Sequence, residues 1–285
     1  KTVKIMYNNH RMSYNTNPEE AISEKLRPDL QFHPAKFSEN GPLPVEDIDH
    51  YNQQGYLTGI RIFSKCEADN LRAYFDGLLN QVLAEGGNSY SISTAHLTYG
   101  RVWDLLNNSK ITSYVTSILG PNVIGWGSHF FCKLPGDGKT VSWHQDASYW
   151  PISPAKTVTV WLAIDTADTD NACMRFIPRS HLKGHLTYHL SESDENNVLF
   201  QTVPNAEKLG RPVNIELDAG EMSLHSDMLL HGSYANNSNR RRCGLTLRYC
   251  AADVRAREGW EQKGVIVAGH DEAKHWADPP RPNID

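Results

Sequence analysis

The sequence predicts a mainly β protein with flanking helices, and three observations lead to this fold class. At least seven short strands follow one another from about residue 123, separated by Gly, Pro, Asn and Asp. This pattern is typical of an antiparallel sandwich or barrel rather than of parallel βαβ units. An amphipathic helix precedes the strands, and a chain of 285 residues suits one large β domain. We therefore expect a β core with helices packed outside it.

The composition is that of a folded protein, with 39% hydrophobic and 21% charged residues. A net charge of -5 disfavours binding to nucleic acid, which needs an excess of Lys and Arg. No apolar stretch approaches the roughly 18 to 20 residues that span a bilayer. We therefore expect neither nucleic acid nor a membrane as a partner, and a cytoplasmic location.

The first elements can be read in chain order. Residues 1–44 are polar and are interpreted as an N-terminal extension with one short helix near residues 19–26. Regular patterning begins with VEDIDHYNQQ, which has helical spacing, and GYLTGIRIF, which alternates like a strand. Ser64, followed three residues later by Glu67, predicts the N-cap of a helix from Lys65 to Ala84. A single domain is expected over residues 45–285.

The strand-rich part of that domain has an unusual insertion and a long tail. Residues 181–212 are polar and too long for an ordinary loop, so they predict a functional lid or a disordered segment. The tail from residue 251 has weak periodicity. The predicted strands are VIGWGSHFFCKL, TVSWHQD, KTVTVWLAID, MRFIP, PVNIEL, EMSLHSDML and RRCGLTLRYC.

The segment SWHQDASYW is the first that suggests chemistry. On a strand, His144 and Asp146 point to the same side, where an imidazole and a carboxylate suit a divalent metal. On its own, the pair favours a hydrogen bond between His144 and Asp146 on a sheet face over a metal site. About eighty residues later, a second segment offers His225 and His231. Two histidines and one carboxylate form the facial set that binds Fe(II) and leaves three positions open.

A basic run follows this second segment. A 2-oxo acid can chelate the metal through its keto oxygen and adjacent carboxylate, and a guanidinium is the best match for its distal carboxylate. Strand parity groups Arg242 with Thr246 and Arg248, whereas Arg240 and Arg241 are expected in a solvated turn. For Arg248 the alternatives are a substrate contact and an ion pair with an acid such as Asp218, of which the ion pair is favoured.

Three segments together resemble the phytanoyl-CoA dioxygenase (PhyH) family of Fe(II)- and 2-oxoglutarate-dependent oxygenases. They are HQDASYWP, TVTVWLAIDTADTDNACMRFIPRSH and LHGSYANNSNRRRCGLTLRY, and the resemblance spans residues 45–250. It implies a double-stranded β-helix, the cupin-like jelly roll. It also implies that His144, Asp146 and His231 are the iron ligands at the catalytic centre. The cosubstrate contacts implied are Arg242 to the distal carboxylate, Ser233 supporting it, and Trp161, His129 and Thr159.

The sequence departs from the family pattern at two turns and keeps the metal set. Ala172 and Arg179 stand where the NGC and PGSH motifs have glycine. Related halogenases have a small residue at the carboxylate position to make room for chloride. Because Asp146 is present here, halogenation is disfavoured.

The expected activity is hydroxylation of a C–H bond in a small, polar organic substrate. The reaction would consume O2 and 2-oxoglutarate and release succinate and CO2, with ascorbate as a candidate reductant. Two alternatives remain open, namely a non-catalytic cupin-like binding protein and a zinc-dependent hydrolase that uses the same ligand set. The sequence identifies neither the substrate nor the oligomeric state.

Overall fold

The computed structural model describes residues 29–285, so the helix expected near residues 19–26 lies outside the described residues. The helices are α1 Val45–Gln54, α2 Lys65–Ala84, α3 Gly100–Leu106 and α4 Ser109–Leu119. The strands are β1 Tyr56–Arg61, β2 Val123–Lys133, β3 Val141–His144, β4 Ile152–Ser153, β5 Thr157–Ala163, β6 Met174–Phe176, β7 His189–Leu190, β8 Gln201–Thr202, β9 Val213–Ile215, β10 Glu221–Ser226, β11 His231–Ser233, β12 Arg242–Ala251, β13 Arg255–Ala256 and β14 Val265–Ala268.

The expected entry of helix, strand and helix is confirmed. The backbone N–H of Glu67 donates to the Ser64 hydroxyl over 3.3 Å, and the Glu67 carboxylate accepts from the Ser64 N–H over 2.7 Å. This reciprocal capping box satisfies two backbone donors that a helix start leaves unpaired. The sequence signal was local, which is why it fixed the start of α2 correctly. The helices α3 and α4 were not anticipated.

Two antiparallel sheets form the mainly β core predicted from the sequence. The larger sheet has the strand order β1-β10-β5-β12-β2-β14, and the smaller has the order β3-β11-β6-β9. The two sheets face each other as a cupin-like jelly roll and do not close into a barrel. Side chains from both can therefore meet in the space between them.

Strand alternation gives the larger sheet two different faces. Val158, Val160 and Leu162 of β5 belong to the same buried cluster as Phe75 of α2. The intervening Trp161 instead belongs to a cluster with residues of the smaller sheet. Because successive side chains point to opposite faces, one strand serves both the helical layer and the space between the sheets. The same alternation on β12 directs its polar residues inward.

Two predicted strands end earlier than expected, and both changes affect the candidate ligands. β3 ends at His144, and Asp146 begins a short 3₁₀ turn over Asp146–Tyr149. The strand predicted as EMSLHSDML ends at Ser226, and His231 starts β11 in the other sheet. The chain thus crosses from the larger sheet to the smaller one between these two histidine-bearing segments.

The two positions that lack the family glycine keep the backbone conformation of glycine. Ala172 has φ 66° and Arg179 has φ 68°, both in the left-handed region. A Cβ in that region approaches the following carbonyl oxygen at a cost of roughly 1–2 kcal/mol. The two turns therefore keep the backbone conformation of the family motifs, and the backbone is strained at Ala172 and Arg179.

The insertion and the tail are built of short elements that pack on the core. Residues 181–212 contain β7 and β8, which pair with each other, and the Gln201 N–H donates to the Tyr149 hydroxyl over 3.0 Å. In the tail, β14 pairs with β2 at the edge of the larger sheet. None of the helices in residues 29–285 has the length and apolar character needed to cross a membrane.

Candidate metal and cosubstrate site

The structure brings His144, Asp146 and His231 together between the two sheets. Nε2 of His144 lies 3.6 Å and Nε2 of His231 lies 3.7 Å from Oδ1 of Asp146. The two histidines are register partners across β3 and β11, and their ring centroids are 4.1 Å apart. All three residues are buried, and the three candidate ligand atoms lie within 4.8 Å of one another. Two strands and a turn therefore produce one convergent set.

Backbone carbonyls orient both rings. Nδ1 of His144 donates to the Ser142 carbonyl over 2.8 Å, and Nδ1 of His231 donates to the Leu229 carbonyl over 3.0 Å. A carbonyl can only accept, so the proton is on Nδ1 and the lone pair of each Nε2 points toward Asp146. Burial, followed by the neighbouring His144, holds the pKa of His231 well below its ordinary value. Two nitrogen donors and one oxygen donor fit a divalent metal.

Asp146 is held through Oδ2, the oxygen that is not nearest to His144 and His231. The Thr159 hydroxyl donates to Oδ2 over 3.0 Å, which leaves Oδ1 on the side of the two Nε2 atoms. Burial opposes ionisation of Asp146, but its histidine neighbours, led by His231, keep its pKa well below the ordinary value. The carboxylate is therefore ionised and oriented to offer one oxygen.

The structure distinguishes between the two histidines of the second segment. His225 lies on β10 with Nε2 3.8 Å from Oδ2 of Asp146, whereas His144 and His231 lie nearest to Oδ1, and its ring centroid is 4.6 Å from that of His231. Among residues 29–285, the cluster able to hold a metal contains His231 and not His225. Both ring nitrogens of His225 are buried without a hydrogen-bond partner among the described residues.

Arg242 and Ser233 lie together in the same cavity as the metal set. Arg242 is 2% exposed, donates through Nε to the Ala172 carbonyl over 2.9 Å and through Nη2 to the Ser233 hydroxyl over 3.0 Å. Its guanidinium lies 5.5 Å from the Trp161 ring centroid. Burial lowers the pKa of Arg242, yet a guanidinium stays charged in proteins. A buried cation beside a hydroxyl is suited to a carboxylate.

A glycine makes room for this arrangement. A Cβ on Gly244 would lie 2.0 Å from Cζ2 of Trp161, which is closer than any side-chain contact allows. Trp161 can therefore lie across β12 beside Arg242 only because residue 244 has no side chain. The cavity is lined by Phe131, Val141, His144, Asp146, Thr159, Trp161, Met174, Leu199, His225, His231, Gly232, Ser233, Arg242, Thr246 and Arg248.

Of the three remaining cosubstrate contacts predicted from the sequence, two line the cavity and one does not. Trp161 and Thr159 both line the cavity, although the Thr159 hydroxyl is used by Asp146. On β2, Phe131 rather than His129 contributes to the cavity wall, and the His129 ring lies 4.3 Å from that of Phe131. Burial lowers the pKa of His129 to about 3, so this ring is neutral.

Arg241 does not lie in a solvated turn. Its Nε donates to Asp165 over 2.7 Å, and its Nη1 donates to Asp76 over 2.5 Å. Arg240 is the more exposed of the two and pairs with Asp168 at 2.7 Å. The expectation was wrong for Arg241 because acids from distant segments meet it, which the local sequence does not reveal.

Lys133 is a buried cation that the sequence reasoning missed. It is the register partner of Arg242, and its Nζ donates to the carbonyls of Lys139 and Tyr234 over 2.6 and 2.5 Å. Burial, together with the charge of Arg242, lowers its pKa to about 6. The available signal was a lysine at the end of the otherwise apolar run FFCK.

Solved structures similar to this chain support the same fold. The non-haem monooxygenase ThoJ has a TM-score of 0.71 and 24% identity, covering 83% of this chain and 88% of ThoJ. The structure of EctD from S. alaskensis with 2-oxoglutarate and 5-hydroxyectoine has a TM-score of 0.68 and 18% identity, covering 91% and 94%. With the cluster of two histidines and one aspartate, the facial set of non-haem Fe(II) oxygenases, and with the family match described next, the chain falls in the class of Fe(II)- and 2-oxoglutarate-dependent oxygenases.

Sequence comparison specifies the family within that class. The sequence model of phytanoyl-CoA dioxygenase (PhyH) matches residues 51–244, and the chain belongs to this family. The peroxisomal phytanoyl-CoA dioxygenase of Bos taurus is 24% identical over 249 residues, 78% of this chain and 74% of the bovine protein. A probable alpha-ketoglutarate-dependent hypophosphite dioxygenase of Stutzerimonas stutzeri is 29% identical over 173 residues, 57% of each chain.

Proposed function

We propose that this oxygenase hydroxylates a C–H bond of a small, polar organic molecule. One atom of O2 would enter the new hydroxyl group, and the other would enter the succinate formed when 2-oxoglutarate loses CO2. The observation that supports this proposal is a single cavity lined by both the metal set and the Arg242–Ser233 pair. A metal site alone would suit many reactions, whereas a metal site facing a buried guanidinium suits a chelating diacid.

The residues divide into two groups by the ligand that they would hold. Nε2 of His144, Oδ1 of Asp146 and Nε2 of His231 would hold Fe(II), because these atoms converge and carry no proton. Arg242 and Ser233 would bind the distal carboxylate of 2-oxoglutarate. When bound, the iron supplies the redox chemistry that couples decarboxylation of the cosubstrate to the use of O2.

The protein's own part in the reaction is to orient its ligands and to keep water away. Thr159 holds the carboxylate of Asp146 in place through Oδ2. Leu199, from the insertion at residues 181–212, lines the cavity and supports a role of this segment as a lid. Phe131 and Met174 add apolar surface to the same cavity. A dry, largely apolar chamber favours attack on a bound carbon chain over side reactions with solvent.

The remaining aspects of the proposal concern partners and location. A small molecule is the proposed substrate, with no role for nucleic acid or a membrane. A cytoplasmic location stays a prediction, and the name of the bovine relative places that protein in the peroxisome.

Anaerobic titration of Fe(II) and 2-oxoglutarate into the metal-free protein tests the proposal. The visible charge-transfer band of the chelated complex is expected for the wild type, absent for His144→Ala and weaker for Arg242→Ala. Arg240→Ala is the matched control, since Arg240 lies two residues away and pairs with Asp168 at the surface. This control should give the wild-type band.

Two results would contradict the proposal. Absence of the band in the wild type would remove the cosubstrate assignment and favour a non-catalytic binding protein. Zinc-dependent hydrolysis without O2 or a 2-oxo acid would favour the hydrolase alternative. If the band forms, 2-oxoglutarate consumption over a panel of small polar molecules would then identify the substrate.

A further inference from the structure

A second arginine, Arg248, lines the same cavity as the metal set and the Arg242–Ser233 pair. Arg248 follows Arg242 by six residues on β12, so both side chains project from the same face of the strand. Because a strand rises about 3.3 Å per residue, the Cα atoms of Arg242 and Arg248 are about 20 Å apart. In register, Arg248 pairs with Thr159 on β5, the residue that holds Asp146. Arg248 therefore lies at the metal end of the cavity.

The ion pair expected for Arg248 is not formed. Asp218 instead lies 3.4 Å from Arg61 at the surface. Among residues 29–285, no carboxylate lies within ion-pairing distance of Arg248. The Nε of Arg248 is buried and has no hydrogen-bond partner there. A buried guanidinium N–H without a hydrogen-bond partner is costly in a folded protein unless a ligand completes it.

Packing holds Arg248 in its orientation in place of an acid. Its guanidinium lies 5.2 Å from the centroid of the Trp150 ring, a cation–π contact. Its stem crosses Gly127, where an added Cβ would lie 3.2 Å from Cδ of the arginine. The pairing of β12 with β2 shifts register here, and the extra residue is Trp126, whose ring packs edge-on against Trp150 at 4.6 Å. A bulge of this kind re-aims side chains beside a site.

The charge of Arg248 acts on the metal set and on nearby bases. It lowers the pKa of Asp146 and of the bases His96, His129, His225 and Lys263. A doubly positive metal, a doubly negative cosubstrate, Asp146 and Arg242 together balance in formal charge. The charge of Arg248 is then left without a counterpart.

We infer that Arg248 binds a negatively charged oxyanion of the substrate, either a carboxylate or a phosphonate. This inference rests on the proposed function, and it narrows the substrate class to small organic anions. The planar fork of a guanidinium matches both groups bidentately. Leu199 and Phe131, which line the same cavity, provide apolar surface for the carbon chain that the oxyanion would orient toward the metal.

The test compares probes with similar short alkyl chains, of three or four carbons, on the anaerobic complex of Fe(II) and 2-oxoglutarate. Butyrate and propylphosphonate carry an oxyanion, butyramide is neutral and butylamine is cationic. Binding is read from the shift of the charge-transfer band and from tryptophan fluorescence, since Trp150 contacts Arg248. The variants are Arg248→Gln and Arg248→Lys. Arg101→Gln is the matched control. The Arg101 guanidinium lies 4.3 Å from the centroid of the Tyr74 ring, and Arg101 does not line this cavity.

The wild type should bind at least one anion tenfold or more tightly than butyramide, and butylamine least. Arg248→Gln should weaken the binding of the anion by about 10- to 100-fold with little change for butyramide, because charge-assisted hydrogen bonds are lost. Arg248→Lys should retain part of the preference, and Arg101→Gln all of it. The relative affinities of butyrate and propylphosphonate distinguish the two oxyanions.

The two levels of the proposal fail in different ways. No charge-transfer band in the wild type would refute the proposed function. A normal band with no preference for anions, or with the same preference in Arg248→Gln, would overturn the inference about Arg248 alone. If circular dichroism shows that Arg248→Gln does not fold, the binding of the probes to the wild type and to Arg248→Lys still tests the inference about Arg248.

Discussion

Replacing Thr159 by valine isolates the hydrogen bond that orients Asp146. The Thr159 side chain is 1% exposed, and its hydroxyl donates over 3.0 Å to Oδ2 of Asp146. Valine has nearly the same shape, so the change removes the donor without opening a cavity. Partners that orient a metal ligand typically contribute 10- to 100-fold to metal affinity. This range corresponds to a loss of about 1.4–2.7 kcal/mol in metal-binding free energy.

The assay is anaerobic calorimetric titration of metal-free protein with Fe(II), and with Co(II) as an air-stable substitute. Thr246→Val is the matched control, because Thr246 is also buried and its hydroxyl donates over 3.0 Å to the carbonyl of His129 rather than to Asp146. We expect metal affinity to fall in Thr159→Val and to stay at the wild-type value in Thr246→Val. Affinity for 2-oxoglutarate at saturating metal should be unchanged in both.

Either of two results would refute this reasoning. Wild-type metal affinity in Thr159→Val would mean that the hydrogen bond does not orient the carboxylate. A selective loss of 2-oxoglutarate affinity would instead support the role implied by the family resemblance, in which Thr159 contacts the cosubstrate.

Three further predictions concern the cosubstrate, backbone strain and pH. Ser233→Ala should weaken 2-oxoglutarate binding by roughly 10- to 100-fold, the size of one hydrogen bond to a charged group, while Fe(II) affinity measured by calorimetry stays constant. Arg179→Gly should raise the free energy of unfolding by about 1 kcal/mol, because φ is 68° at this exposed position; an unchanged urea midpoint would contradict it. Burial lowers the pKa of His96 from 6.5 to about 4. Below pH 6.5 the unfolded chain binds a proton that the folded His96 does not, so the free energy of unfolding is full above pH 6.5 and falls as the pH drops toward 4. We expect His96 to account for a loss of about 2 kcal/mol between pH 7 and pH 5 in urea unfolding, and His96→Gln to show a correspondingly flatter dependence.

The sequence by itself determined the elements whose signals are local. The capping box at Ser64 and the helical spacing after it predicted α2 with the correct bounds. The alternation along β12 predicted that Arg242, Thr246 and Arg248 share a face, and all three line the cavity. The alternation of a strand and the capping of a helix depend on residues a few positions apart, so a single sequence is sufficient to predict them.

The sequence predicted only part of the candidate metal set. The spacing of His144 and Asp146 and the presence of a distant histidine could be seen in the sequence, and the family resemblance favoured His231 over His225. The tertiary structure gave the physical reason. The chain leaves the larger sheet after Ser226 and re-enters the smaller one at His231, opposite His144. A change of sheet has no periodic signature, because it depends on which distant strand pairs next.

Only the tertiary structure decided what each polar side chain contacts. Thr159 holds Asp146, Arg241 meets Asp76 and Asp165, and Arg248 lies on Trp150 without a carboxylate partner among residues 29–285. Each of these contacts joins residues at least 13 positions apart in the chain, beyond the reach of a local pattern. Their energies depend on burial and on distances of a few ångströms, and the packing of two sheets sets both quantities.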